Sequence, residues 1–192
     1  MARRERGRPP AHHGSHPVDR RPGRRPATRT ATPLELTFQP GQRDALADEA
    51  AEVLLLDGPP EPVKGREDAI VVSHWGPLAP VRDLRTADSA CILLRFDIPR
   101  PKSLTSDEHL QRIVAAVKAS LDVARAETFR IEAAESESAV VARLAEQLAD
   151  ATDLRYDPAG DMVLRLRRGQ HPGPSGDPGW DVLVSLGTRP PA

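Results

Sequence analysis

The alternation of apolar and polar residues starts at Leu34. Leu34-Glu35-Leu36-Thr37-Phe38 has the period of a half-buried strand. Pro40-Gly41 turns the chain, and Leu46, Ala50, Val53 and Leu54 follow at helical spacing, with Asp44 and Glu49 near the positive end of the helix dipole. Asp57-Gly58-Pro59-Pro60 stops that helix. A short strand near Val63 and a stronger one at Ala69–Ser73 come next. A short helix through Val81, Leu84 and Ala87 leads into Ala90–Phe96, a run apolar on both faces and therefore predicted to be a central strand.

Arg100-Pro101 reads as a joint. Beyond it, Thr105-x-x-Glu108 has the capping-box pattern, and Leu110, Ile113, Val114, Val117 and Leu121 predict a helix to about Arg125. Thr128–Ala133 alternates as a strand, with Phe129 and Ile131 inward and Arg130 outward. Val140, Val141, Leu144 and Leu148 mark another helix. Tyr156–Gly160 is a turn, and a strand follows in which Met162, Leu164 and Leu166 alternate with Val163, Arg165 and Arg167. Gln170–Gly179 is a loop rich in proline and glycine, and Trp180–Leu186 is the closing strand. It is expected to need covering, because an open sheet edge invites aggregation. Strands alternating with helices in two blocks predict an α+β protein of two small α/β sandwiches, at 31–100 and 101–192.

The net charge of −1 conceals a division. Residues 1–30 carry nine arginines against Glu5 and Asp19, a net +7, which leaves −8 for residues 31–192. With many prolines and almost no large apolar side chains, residues 1–30 are predicted to be a disordered basic arm, able to hold phosphates non-specifically. No apolar run is long enough to span a membrane and no signal-peptide core follows the arginines, so a soluble, cytoplasmic protein is expected. The single Cys91 excludes an intramolecular disulfide and a Cys-only metal site.

Catalytic and cofactor motifs are missing. No glycine-rich strand-to-helix turn offers backbone amides to a dinucleotide or to S-adenosylmethionine, and no P-loop occurs. His12-His13-x-x-His16 lacks a carboxylate or thiol partner. His74 is read as serving a turn and His109 as a surface residue. Cys91 is read as a buried, inert thiol, Ser136–Ser138 as a helix N-cap, and Asp44, Asp48, Glu49 and Glu52 as a solvated helix face. Six aromatic residues give little material for a base-stacking platform.

One basic grouping remains. Arg165, Arg167 and Arg168 project from one strand, and Arg130 from a possible neighbour. Alternate residues on a strand face stand about 7 Å apart, near nucleotide phosphate spacing. The competing reading is cross-strand ion pairing to Glu132 and nearby acids.

Thr128-Phe129-Arg130-Ile131-Glu132-Ala133, the helix at 140–151, Asp157-Pro158 opening Met162–Leu166, and the closing Val182–Leu186 together resemble a THUMP domain. Phe38-Gln39-Pro40-Gly41 with its acidic helix, and Asp83-Leu84-Arg85-Thr86-Ala87, resemble the ferredoxin-like domain that precedes THUMP. The resemblance covers about residues 34–189. It implies a ferredoxin-like sandwich followed by a THUMP-like domain.

By function it implies the RNA-capturing half of a bacterial S-adenosylmethionine-dependent RNA methyltransferase acting on tRNA or rRNA. Arg130, Arg165, Arg167 and Arg168 would contact phosphates. No cofactor is expected in this chain, because S-adenosylmethionine would bind a catalytic domain that the resemblance places beyond Leu186–Pro190 or supplies in trans. The alternative is a non-enzymatic structural or protein-interaction domain.

Overall fold

The computed structural model describes residues 30–134, 137–170, 174 and 176–188. The basic arm before Thr30, His12-His13-x-x-His16, Ser136 and His171 lie outside those residues. Among the described residues, eight strands form one sheet: β1 (Thr32–Thr37), β2 (Glu61–Pro62), β3 (Ala69–His74), β4 (Ser89–Phe96), β5 (Thr128–Glu132), β6 (Arg155–Tyr156), β7 (Met162–Arg168) and β8 (Trp180–Thr188). Their order is β2-β3-β1-β4-β8-β7-β5-β6. Three helices, α1 (Arg43–Val53), α2 (Asp107–Leu121) and α3 (Ser138–Ala151), complete the mixed α+β architecture that the pattern predicts.

The strands on either side of Arg100-Pro101 belong to one continuous sheet. β4 and β8 pair antiparallel from Ser89↔Thr188 to Phe96↔Trp180, with a register shift between Ser89 and Cys91. β8 therefore lies between β4 and β7, and the expectation that it needs an outside cover is corrected: both of its edges are already hydrogen-bonded. The apolar run on both faces of β4 follows from this central place. Ala90 and Ile92 join the main core, while Cys91 and Leu93 point to the opposite face.

The main core lies on the helical side. Leu34, Leu36 and Ile70 from the first strands share it with Leu46 and Ala50 of α1, Ile113 and Val117 of α2, Leu144 and Leu148 of α3, and Phe129 and Leu164. Each such side chain contributes about 1.5–3 kcal/mol when fully buried. α2 is also pinned by a polar contact, since the buried Ser120 hydroxyl donates to the Ser185 carbonyl of β8. β5 is joined to β7 in parallel through α3, and the register Arg130↔Val163, Glu132↔Arg165 makes them the neighbours that the basic grouping requires.

Several local expectations are corrected. The Thr105 hydroxyl donates to the Lys102 carbonyl inside a 3-10 turn at Pro101–Thr105, so the capping box does not form and Ser106 precedes the helix. α2 ends at Leu121, because the Val123 and Ala124 amides turn back onto the Ser120 carbonyl and carry Val123 into the core. The helix expected through Val81–Ala87 is a 3-10 turn at Ala79–Asp83. α3 follows Glu137, with no side-chain cap. His109 is not a free surface residue: it is half-buried with its ring 5.2 Å from that of Phe96 in an edge-on contact. Glu49 leaves the solvated face and accepts the Arg85 and Thr86 amides, fastening the Leu84–Ala87 segment to α1.

Candidate nucleic-acid interface

The helices leave the other face of the sheet to its own side chains. Along that face run Ala69 and Val71 of β3, Cys91 and Leu93 of β4 and Leu183 of β8, joined by Val63; all are buried. Among the described residues no helix covers them. Their cover is charged.

Glu35 of β1 points to this face and is only 2% exposed. A carboxylate so buried must be paired. Arg66 donates to its Oε1 at 2.8 Å, and Arg167 of β7 donates through Nη1 to Oε1 at 3.0 Å and through Nη2 to Oε2. Arg167 also lies 3.4 Å from buried Asp181 of β8, and Arg66 makes a two-point pair with Asp68 at 3.0 and 2.7 Å. β4 and β8 separate β1 from β7, so the Glu35–Arg167 pair passes over Leu93 and Leu183 and roofs the apolar strip.

A second group stands beside the first. Glu132 accepts from Arg130 at 3.1 Å and from Arg165 at 2.7 Å, and Arg130 also donates to the Gly160 carbonyl at 2.6 Å. The Arg165 hydrogen bond holds the Glu132 carboxyl below the usual carboxylate range despite an opposing effect of burial, and Arg130 adds to it. Burial pushes the Asp181 carboxyl up against the pull of Arg167 and Arg95. The Cys91 thiol, under the same roof, is pushed up to about 11 by burial.

The four arginines singled out in the sequence are therefore divided. Arg130, Arg165 and Arg167 share the open face, each with a carboxylate partner. Arg168, one residue further along β7, points to the opposite face. Its guanidinium lies 5.1 Å over the Trp180 ring and donates to the Pro99 carbonyl at 3.3 Å. It makes no ion pair among the described residues. Nearby, Arg112 sits 4.4 Å over Phe96 and donates to the Arg95 carbonyl. Phe96 and Trp180 face each other across β4 and β8. Beside them, Arg100 and Lys102 are exposed.

Sequence reading missed Glu35, Arg66 and Asp181 as members of the charged roof. The available signal was two acids, Glu35 and Asp181, inside otherwise apolar strands, which alternation alone reads as solvent-facing; Arg66 lies in the turn before β3 and carried none. Among the described residues no His, Cys, Asp and Glu group could hold a metal ion, and no helix is long and apolar enough to cross a membrane.

Compared with known proteins, the chain matches no family model and no curated protein. Among solved structures it is similar to the crystal structure of TrmN from Thermus thermophilus, with 20% sequence identity and a TM-score of 0.51 over 84% of this chain and 46% of that chain. The chain spans less than half the length of that protein, and the likeness is one of fold.

Proposed function

We propose that this chain is an RNA-binding recognition module of the THUMP kind, serving a tRNA or rRNA methyltransferase whose catalytic domain binds S-adenosylmethionine. The observation that carries this reading is the placement of the THUMP-like motifs. Thr128–Glu132 is β5, its helix is α3, Asp157-Pro158 opens the turn into β7, and Val182–Leu186 lies in β8, all within a sheet that shares its fold with TrmN. The division of the sequence at Arg100-Pro101 into a ferredoxin-like part and a THUMP-like part belongs to the same proposal, with both parts contributing strands to one sheet.

The chain's own residues would bind and orient RNA, while methyl transfer would take place on the catalytic domain. Of the four arginines, Arg168 makes no ion pair among the described residues and instead lies over Trp180 and donates to the Pro99 carbonyl. Arg130, Arg165 and Arg167 fix the sheet's open face, and their half-exposed guanidinium edges supplement the field.

The test is an electrophoretic mobility shift of tRNA by the full chain across a salt series. A shift at low salt that weakens steeply with added salt is expected, because phosphate contacts release counterions. No shift at low salt sinks the reading. A shift that survives removal of residues 1–30 and replacement of all four arginines rules out this assignment of the contacts.

A further inference from the structure

We infer that the phosphate backbone of a bound RNA runs along the rim of the sheet where β4 ends and β8 begins, on the helical side, and not across the open face. This rests on the RNA-binding reading and gives it a surface: Arg112, Arg168, Arg100 and Lys102.

Strand register builds the rim. Phe96↔Trp180 and Trp180↔Arg168 are successive antiparallel pairs, so the three residues stand in a row on one face of β4, β8 and β7. That row spans two strand spacings, about 10 Å at the backbone. Arg168 closes it on one side, and α2 brings Arg112 over Phe96 on the other. Both arginines then grip the segment that leaves β4. Arg112 donates to the Arg95 carbonyl at 3.2 Å, and Arg168 donates to the Pro99 carbonyl at 3.3 Å. Arg100 follows the second acceptor in the chain, and Lys102 lies in the 3-10 turn beyond it.

The partners of these cations separate the rim from the open face. A neutral carbonyl positions a guanidinium without neutralising it, and an arginine keeps further N–H groups for a phosphate. All four cations are exposed and make no ion pair among the described residues. Glu108, one helical turn before Arg112, does not pair with it; Asp107 and Glu108 stand in the first turn of α2, where the helix dipole favours acids. Asp97 and, in the adjoining cleft, Glu137 have interactions of their own. On the open face, by contrast, Glu132 holds Arg130 and Arg165, and Glu35 holds Arg167. A phosphate arriving there has to displace a carboxylate. On the rim it meets cations that no carboxylate holds.

The experiment follows binding of the full chain to a labelled tRNA transcript by fluorescence anisotropy across a salt series. Each phosphate contact contributes about 0.7–0.9 to the slope of log affinity against log salt. Arg112→Gln with Arg168→Gln is therefore expected to lower the slope by about 1.4–1.8, and Arg112→Lys with Arg168→Lys to keep it. Arg43→Gln with Lys118→Gln removes the same charge from exposed positions elsewhere on α1 and α2, and should shift the slope by less than about 0.5. Thermal unfolding by circular dichroism accompanies each variant. If the first pair lowers the melting temperature, Arg100→Gln with Lys102→Gln decides by a similar fall in slope. A wild-type slope in the folded glutamine variants of the rim overturns the inference. An equal fall in the lysine variant, or in the Arg43 and Lys118 variant, also overturns it, and the RNA-binding reading survives each of these results. No binding of tRNA by the wild-type chain at low salt overturns both.

Discussion

Glu35 and Arg167 are separated by 132 positions in sequence and meet above two intervening strands. Strands in a flat sheet lie about 4.8 Å apart, so β1 and β7 would be about 14 Å apart at their backbones. An extended arginine and a glutamate nearly cover that span, and the right-handed twist and curvature of a sheet supply the remainder. The consequence is a buried apolar strip on a face that carries no helix among the described residues. The charged ends of Arg66 and Arg167 together satisfy one buried carboxylate.

Breaking this roof on one side is expected to be costly. Arg167→Met leaves Glu35 with Arg66 alone and should destabilise the chain by about 2–3 kcal/mol, toward the lower end for a buried pair because Arg167 is partly exposed. Glu35→Leu with Arg167→Met should recover more than 1 kcal/mol relative to the sum of the single changes, because the two residues are in direct contact. Urea unfolding of the four proteins measures the coupling; strict additivity would show that the pair does not act as a unit.

Two carboxyls on the same face should give opposite pH slopes. Asp181 holds its proton more tightly in the folded chain than at the usual value of 3.8, so its contribution to stability declines as pH rises from there through its folded value. Glu132 is lowered from 4.5; its contribution is full above that value and is lost as pH falls through the folded one. Asp181→Asn should therefore lose less stability than the wild type between acid and neutral pH. The wild type's advantage over Glu132→Gln should be present at neutral pH and fade in acid. Denaturant midpoints across the pH series give both slopes.

Cys91 reports on the roof from beneath. A buried thiol pushed up to about 11 has little thiolate at neutral pH and should resist a disulfide reagent in the folded chain. Full labelling is expected in urea. Arg167→Met should accelerate labelling in native buffer at least several-fold if the Glu35–Arg167 pair is what covers the strip, and an unchanged rate would show that it is not.

The elements were legible because their periods differ. Phe129 and Ile131, or Leu34 and Leu36, set a two-residue repeat that survives any tertiary context. Ala90–Phe96 announced a central strand through its lack of alternation. The long-range pairing was not legible, because nothing in Trp180–Leu186 distinguishes a strand that closes its own block from one that pairs with β4. The same holds for Glu35. Beside Leu34 and Leu36 it looks like an outward residue, and only the arrival of Arg66 and Arg167 from distant positions makes it an inward one. Arg168 was visible as a cation, but its separation from Arg165 and Arg167 depends on the one-residue flip of a strand, and its perch on Trp180 depends on β8 lying alongside.

Gly160 links the fold to this face and provides the sharpest steric test. A Cβ at this position would stand 2.5 Å from the Phe129 carbonyl carbon and 2.7 Å from its oxygen, both backbone atoms that cannot rotate away. The Gly160 amide closes the turn onto the Asp157 carbonyl, and its own carbonyl receives Arg130. Gly160→Ala should force the turn away from β5, at a cost of about 1–3 kcal/mol, and pull the acceptor from Arg130. Ala159→Gly, a neighbouring exposed position in the same turn, tests the alternative that mere turn flexibility is at stake and should cost less than about 1 kcal/mol. If thermal unfolding ranks Gly160→Ala no lower than Ala159→Gly, then the close approach of Gly160 to Phe129 does not constrain the fold.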